Sequence, residues 1–273
     1  MLKMIKDTEK ASRYDNLESM TTEEILRGIN AEDRTVPEAV GRSIPQITRL
    51  VDGIVARMER GGRVFCIGAG TSGRVGVTDA AEIPPTYGVR DRFIAIIAGG
   101  DKAFRDAVEG AEDDPEQGWK DVLTHNPVPE DTLIGITASG GAPYVVGALR
   151  EARKAGLLTA CISCNVGSPA ADAAECPIVS VTGPEFVTGS TRMKAGTAAK
   201  LTLNMISTAV MIRLGHVRGN RMVDMQLSNN KLVDRGTRMI LEETGTDDYA
   251  AARELLLKYG SVREAVAQFK KRI

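Results

Sequence analysis

"FCIGAGTSGRVGVTDAAEIPPTYG" occupies residues 65–88. It opens as an uninterrupted apolar run. It then turns through glycines with Thr71 and Ser72 between them, and continues as a helical pattern to Glu82, ahead of Pro84 and Pro85. Strand, glycine turn and helix in succession set the pattern that the neighbouring sequence repeats. Apolar runs at 63–68, 92–98, 132–138, 158–163 and 177–181 read as strands, and helical patterns at 73–82, 101–124 (with breaks), 143–155 and 168–174 fall between most of them. The strands are nearly continuous in apolar residues rather than alternating, which is what a parallel sheet covered on both faces requires. The expected fold is α/β, an open three-layer αβα sandwich around a central parallel sheet.

Residues 1–18 read as a polar arm. "TTEEILRGINAED" and "TVPEAVGRSIPQITRLVDGIVARMERGG" read as helices. In the second, Ile44, Ile47, Leu50, Val51, Ile54, Val55 and Met58 recur at helical spacing, Pro45 predicts a kink or break, and Gly61-Gly62 a stop. Residues 192–214 predict a long helix, apolar nearly all round and so buried in a core or a subunit interface. Residues 226–273 are polar and helical, with breaks at Gly245 and Gly260. The expected organisation is an N-terminal arm and short helix over 1–34, one α/β domain over 35–225 and a small helical appendage over 226–273.

Composition narrows the function classes. With 273 residues, 42% of them hydrophobic, and a formal net charge of −1, nothing favours a nucleic-acid or membrane partner. No apolar run approaches the roughly 20 residues of a membrane span. The charged N-terminus lacks a secretory apolar segment, so a cytoplasmic location is expected. Of the four cysteines, Cys66, Cys161, Cys164 and Cys176, the middle two form a C-x-x-C. The two histidines, His125 and His216, stand at no ligand spacing from them. Neither a metal site nor a disulfide is expected, and Cys66 and Cys161 read as small apolar strand residues.

Three turns combine glycine with hydroxyls: Gly70-Thr71-Ser72-Gly73, Ala138-Ser139-Gly140-Gly141 and Thr188-Gly189-Ser190-Thr191. Each leads into a helix, and the first two follow strands. A helix N-terminus carries free N–H groups and partial positive charge, and so suits an anion such as phosphate. Glycine admits close backbone approach, and hydroxyls add donors. Such residues are also ordinary caps and turns. Three of them, two at the carboxyl ends of parallel strands where α/β sheets bind ligands, point instead to one phosphate, with a phosphosugar as its bearer. Thr71, Ser72, Gly73, Ser139, Gly140, Ser190, Thr191 and Lys194 are the expected phosphate-site residues. Gly68, Gly70 and Gly73 also satisfy G-x-G-x-x-G. A dinucleotide site, however, wants an acidic residue at the end of the second strand. Asp91 precedes that strand and Asp101 comes after Gly99-Gly100.

The acids are less decided by local sequence. Glu82 has apolar neighbours that would favour a neutral carboxyl, but a helix-end carboxylate facing water reads equally well. Glu109, Glu112, Asp113 and Asp114 form an acidic cluster in which nothing selects one member.

"IGAGTSGRVGVTDAAEIPPTYGV", "AVEGAEDD", "CISCN", "GPEFVTGSTRMKAGTAAKLTLNMISTAVMIRLG" and "GNRMVDMQLSNNKLVDR" closely resemble the N-acetylmuramic acid 6-phosphate etherases over roughly residues 20 to 240. The related glucokinase regulatory proteins are longer and carry two such domains. The resemblance implies a sugar isomerase (SIS) fold, a homodimer, and cleavage of a D-lactyl ether to N-acetylglucosamine 6-phosphate and D-lactate without metal or cofactor. It also implies Glu82 as general acid and Glu112 as general base. Two departures stand out. Gly141-Ala142 replaces the family's Arg-Thr, and "AAEIPP" replaces "ASECPP". A non-catalytic phosphosugar-sensing SIS protein is the main alternative, and a phosphosugar isomerase the next. A sensor has no need of the Glu82 and Glu112 pair, and an isomerase needs no acid at C3.

Overall fold

The computed structural model describes residues 6–271. Residues 1–5 of the expected polar arm, and 272–273, lie outside them. Three helices come first, α1 (Thr22–Asp33), α2 (Val36–Gly41) and α3 (Ile44–Met58). They are followed by β1 (Val64–Gly68), α4 (Gly70–Tyr87), β2 (Phe93–Ile97), α5 (Lys102–Arg105), α6 (Gln117–Leu123), β3 (Thr132–Ile136), α7 (Pro143–Lys154), β4 (Leu158–Ser163), α8 (Pro169–Ala173), β5 (Cys176–Val179) and α9 (Lys194–Arg213). A small hairpin, β6 (Val217–Arg218) and β7 (Arg221–Met222), precedes α10 (Asn230–Thr244), α11 (Tyr249–Tyr259) and α12 (Val262–Lys270). The chain forms two compact units. One holds residues up to Ala80 together with Arg92–Val210, the other Ala81–Asp91 together with Met211–Ile273.

In the first unit the five long strands form one parallel sheet in the order β2-β1-β3-β4-β5. The chain leaves β1 to one side for β2 and returns on the other side for β3. The switch point therefore lies between β1 and β3, where such sheets open a crevice beyond their carboxyl ends. This order also differs from the 3-2-1-4-5-6 order of the dinucleotide fold. Every residue of β1 and β3 is buried, as continuous apolar runs predict.

On one face Phe65, Ile67, Leu133 and Cys161 pack with Tyr144, Val145 and Leu149 of α7 and Val122 of α6. The other face carries Cys66. There a Cβ built on Gly76 of α4 would lie 3.4 Å from Cys66 Cβ, so α4 rests close on the sheet. Helix α3 packs on β4 and β5 of the same sheet. Its break from α2 falls just before Pro45, which enters α3 in its first turn where its missing N–H costs nothing. Glycines 68 and 73 are explained by packing. A Cβ on Gly68 would sit 2.8 Å from Gly73 N, and one on Gly73 would sit 2.6 Å from Ile97 Cγ1.

Helix α4 runs further than the sequence pattern suggests, straight through Pro84 and Pro85 to Tyr87. Each proline frees a carbonyl four residues back. The turn after the prolines is held within the second unit by Gln226, whose N–H donates to the Pro85 carbonyl at 3.2 Å. In that unit α10, α11 and α12 enclose Val233, Met239, Ile240, Leu256 and Val266. Gly245 and Gly260, at φ 74° each, end α10 and α11 in the left-handed conformation that glycine adopts without strain.

Asp79 of α4, half-buried, is a liability in the first unit. Burial pushes its carboxyl above the ordinary range. The Ser207 hydroxyl, which donates to it at 3.2 Å from α9, and the charge of Lys200 only partly offset this. An acid raised in the fold costs nothing while protonated. It costs stability as pH rises past its unfolded value. Asp79→Asn, which keeps the acceptor for Ser207, is therefore expected to raise Tm at pH 7, the gain shrinking as pH falls into the ordinary carboxylate range. Calorimetry of both proteins from pH 4 to 8 checks it; a gain independent of pH would show that charge burial is not the cause.

Candidate functional site

A cavity of about 290 Å³ opens in the first unit at the β1/β3 switch point. Thr71 and Ser72 line it from the turn that begins α4, Thr137, Ala138 and Ser139 from the turn after β3, and Thr191 from the loop before α9. Thus members of all three hydroxyl turns meet in one place. They do so for a topological reason: the first two turns leave adjacent parallel strands at the same end. The first N–H groups of α4 have no partner within the helix and face this end. A second, adjoining cavity of about 200 Å³ shares Ala69, Gly70 and Glu112 with the first.

The structure sorts the four clustered acids that local sequence left equal. Glu112 lines both cavities. Glu109 lines only the second, and Asp113 lines neither. Asp114 caps its own loop, accepting from the N–H groups of Glu116 at 2.8 Å and Gln117 at 3.1 Å, which hold its carboxyl below the ordinary range. Glu112 is anchored through its main chain. The Tyr144 N–H, one of the free donors at the start of α7, donates to the Glu112 carbonyl at 3.0 Å.

Glycines let the loop lie that close. A Cβ on Gly147 of α7 would overlap the Pro115 carbonyl, and one on Gly118 the Tyr144 carbonyl. Gly147→Ala would gain up to about 1 kcal/mol of helix propensity but must displace a rigid backbone oxygen, at about 1–3 kcal/mol. The clash is expected to win. Tm should fall modestly, and the rate should fall more, because an ångström of misplacement of a reacting group costs about 100-fold. Thermal denaturation and steady-state kinetics on the variant test this; an unaltered rate would show that Glu112 does not depend on this contact.

The remaining expected phosphate residues are placed differently. Gly73 is buried against Ile97 and Gly68. Gly140, at φ 70°, is a turn residue packed on Ser168. Ser190 stays within its own turn, its N–H donating to the Val187 carbonyl at 2.9 Å. Lys194 needs a correction. Its side chain is 1% exposed and its ammonium is paired with the buried Glu32 carboxylate, itself met by Arg13 at 3.3 Å. It does not line the cavity. Nor does the start of α9 offer free N–H groups to an anion. The buried Glu185 carboxylate already accepts from Lys194 N at 2.8 Å and Ala195 N at 2.9 Å.

Glu82 lies exposed on α4, in the part of that helix belonging to the second unit. Cys66 and Cys161 are buried strand residues, and burial pushes the Cys161 thiol up to about 11.

Two residues of the N-terminal segment went unread in the sequence. Glu9 lines the first cavity, and Lys6 reaches over Gly141. A short polar segment carries no periodicity that could have flagged them.

Comparison with known proteins bears on family and fold. Residues 46–153 match the family described as the glucokinase regulatory protein N-terminal SIS domain. An N-acetylmuramic acid 6-phosphate etherase of Porphyromonas gingivalis is 60% identical over 268 residues, covering 98% of this chain and 97% of the relative. The chain belongs to the N-acetylmuramic acid 6-phosphate etherase family. The etherase of Christiangramia forsetii is 58% identical over 97% of both chains. Among solved structures, a phosphoheptose isomerase of Neisseria gonorrhoeae superposes with a TM-score of 0.50 at 17% identity, covering 70% of this chain and 98% of that one. That last likeness speaks to the SIS fold alone.

Proposed function

We propose that this etherase-family chain cleaves the D-lactyl ether of N-acetylmuramic acid 6-phosphate to N-acetylglucosamine 6-phosphate and D-lactate. The observation that carries the reading is the joining of Thr71, Ser72, Ser139 and Thr191 with Glu112 around one switch-point cavity. The hydroxyls and the α4 N-terminus would hold the phosphate, a built anion site, and the adjoining cavity leaves room for the sugar.

In the open-chain sugar the C1 aldehyde acidifies the hydrogen on C2. The Glu112 carboxylate removes it as general base. The electron pair forms the C2–C3 double bond as the C3–oxygen bond breaks, and a proton passes to the departing lactyl oxygen, the general-acid role that the family resemblance assigns to Glu82. Water then adds across the double bond, its oxygen to C3 and a hydrogen to C2. The sum is hydrolysis of an ether with no change of oxidation state, so no redox cofactor is required. One carboxyl must begin ionised and the other protonated. The anchored phosphate gives the orientation that makes the proton transfers efficient.

We further read the chain as a cytoplasmic homodimer. Helix α9 leaves Met205 and Ile212 exposed, apolar surface of the kind a second copy covers.

The test is direct. Purified protein with N-acetylmuramic acid 6-phosphate is expected to release D-lactate stoichiometrically with N-acetylglucosamine 6-phosphate. Retained binding of sugar phosphates with no lactate formed would turn the reading towards a sensor, and an aldose–ketose product towards an isomerase.

A further inference from the structure

We infer that the N-terminal segment completes the phosphate subsite, with Lys6 as its cation. The inference rests on the proposed function in taking the ligand to be a phosphate ester. The cavity poses an electrostatic problem. Among the described residues no lysine or arginine lines it, whereas two acidic residues, Glu9 and Glu112, do. Lys194, the cation that the sequence offered, is consumed by Glu32. A phosphate dianion placed beside two carboxylates without a positive partner would be repelled.

Lys6 answers that problem by position. A Cβ built on Gly141 would lie 2.6 Å from Lys6 Nζ and 3.6 Å from Ser139 Oγ. The ammonium and a cavity hydroxyl thus converge on one point. The absence of a side chain on Gly141 leaves the space that the Lys6 side chain occupies. No ion pair among the described residues includes Lys6, while Lys10, the next lysine along, is paired with Asp7 at 2.5 Å.

The segment is tied down where it matters. The buried Thr8 N–H donates to Asn165 Oδ1 at 3.2 Å, and Asn165 Nδ2 donates both to Thr8 Oγ and to the Ala138 carbonyl of the second turn, each at 3.0 Å. Ser12 N–H donates to Thr188 Oγ of the third turn at 2.9 Å, and its hydroxyl to the Phe186 carbonyl at 2.7 Å. One strap therefore joins the second and third turns, brings Glu9 into the cavity lining and sets the Lys6 ammonium over Gly141, beside the cavity residue Ser139. The strap thus offers the site a cation from a part of the chain outside the three turns.

The experiment compares wild type with Lys6→Gln, Lys6→Arg and Lys6→Gln/Gly141→Arg. It reads KM and kcat for lactate release. Independently of activity, it reads binding of inorganic phosphate by calorimetry on the full-length protein. Lys6→Gln is expected to weaken phosphate binding and raise KM about tenfold, the effect of losing one charge-assisted contact, with kcat changed less than threefold. Lys6→Arg should behave as wild type, and the double variant should recover much of the loss. Phosphate binding and KM within twofold of wild type in folded Lys6→Gln would overturn the proposal, as would an equal loss in Lys6→Arg. Failure of the wild type to form lactate would overturn the etherase reading alone, because the phosphate titration still judges Lys6.

Discussion

Glu112→Gln is expected to reduce D-lactate release by about 100- to 10,000-fold, the usual worth of a positioned proton-transfer group. Glutamine keeps the volume and the anchored main chain, including the bond from Tyr144 to the Glu112 carbonyl, but cannot accept the C2 proton. Glu82→Gln is expected to cost a loss of the same order for the opposite reason, since the leaving oxygen no longer receives a proton. The two variants separate the roles when substrate is incubated in deuterium oxide. Glu82→Gln retains the base and should still exchange the C2 hydrogen, whereas Glu112→Gln should not. Substrate affinity should change little in either, because neither side chain is proposed to hold the phosphate. Exchange persisting in Glu112→Gln would assign the base elsewhere, and Glu9, in the same cavity, would be the first residue to test.

The largest expected effect on stability comes from the buried pair of Glu32 and Lys194. Breaking a buried ion pair by removing one partner leaves an uncompensated charge, at about 3–5 kcal/mol. Glu32→Gln strands the Lys194 ammonium, which is 1% exposed, and should fall near the upper end. Lys194→Met leaves Glu32 with Arg13, an exposed partner at 3.3 Å, and should cost less. The double variant should be more stable than Glu32→Gln alone, because two apolar or neutral groups replace a charge without a partner. Denaturant titration of the wild type and the three variants measures this cycle. Additive losses would show that the two side chains do not act as a pair. Since Lys194 opens α9 three residues after Thr191, the same variants should also weaken phosphate binding, through a loosened turn rather than a lost contact.

Much of the fold was legible because a buried parallel sheet writes itself as continuous apolar strands. The runs at 132–138 and 158–163 became β3 and β4 with little trimming. Pro45 marked the break between α2 and α3, and Gly245 and Gly260 marked helix ends. The passage of α4 through Pro84 and Pro85 was not legible. Local rules stop a helix there, and the bond from Gln226 to Pro85 comes from residues more than a hundred positions away.

What the sequence determined by itself was the chemistry on offer: three hydroxyl turns, two of them tied to strand ends, a cluster of acids and a family pattern. The turns and the acids follow from residue type and spacing, which act locally, and the family pattern is a resemblance. Only the tertiary structure decided which of them share a cavity. It chose Glu112 over Asp113 and Asp114, sent Lys194 inward to Glu32, capped α9 with Glu185, and laid Lys6 over Gly141. Each of those outcomes depends on charges and close approaches between segments far apart in the chain, and a partner at such a distance leaves no mark in local periodicity.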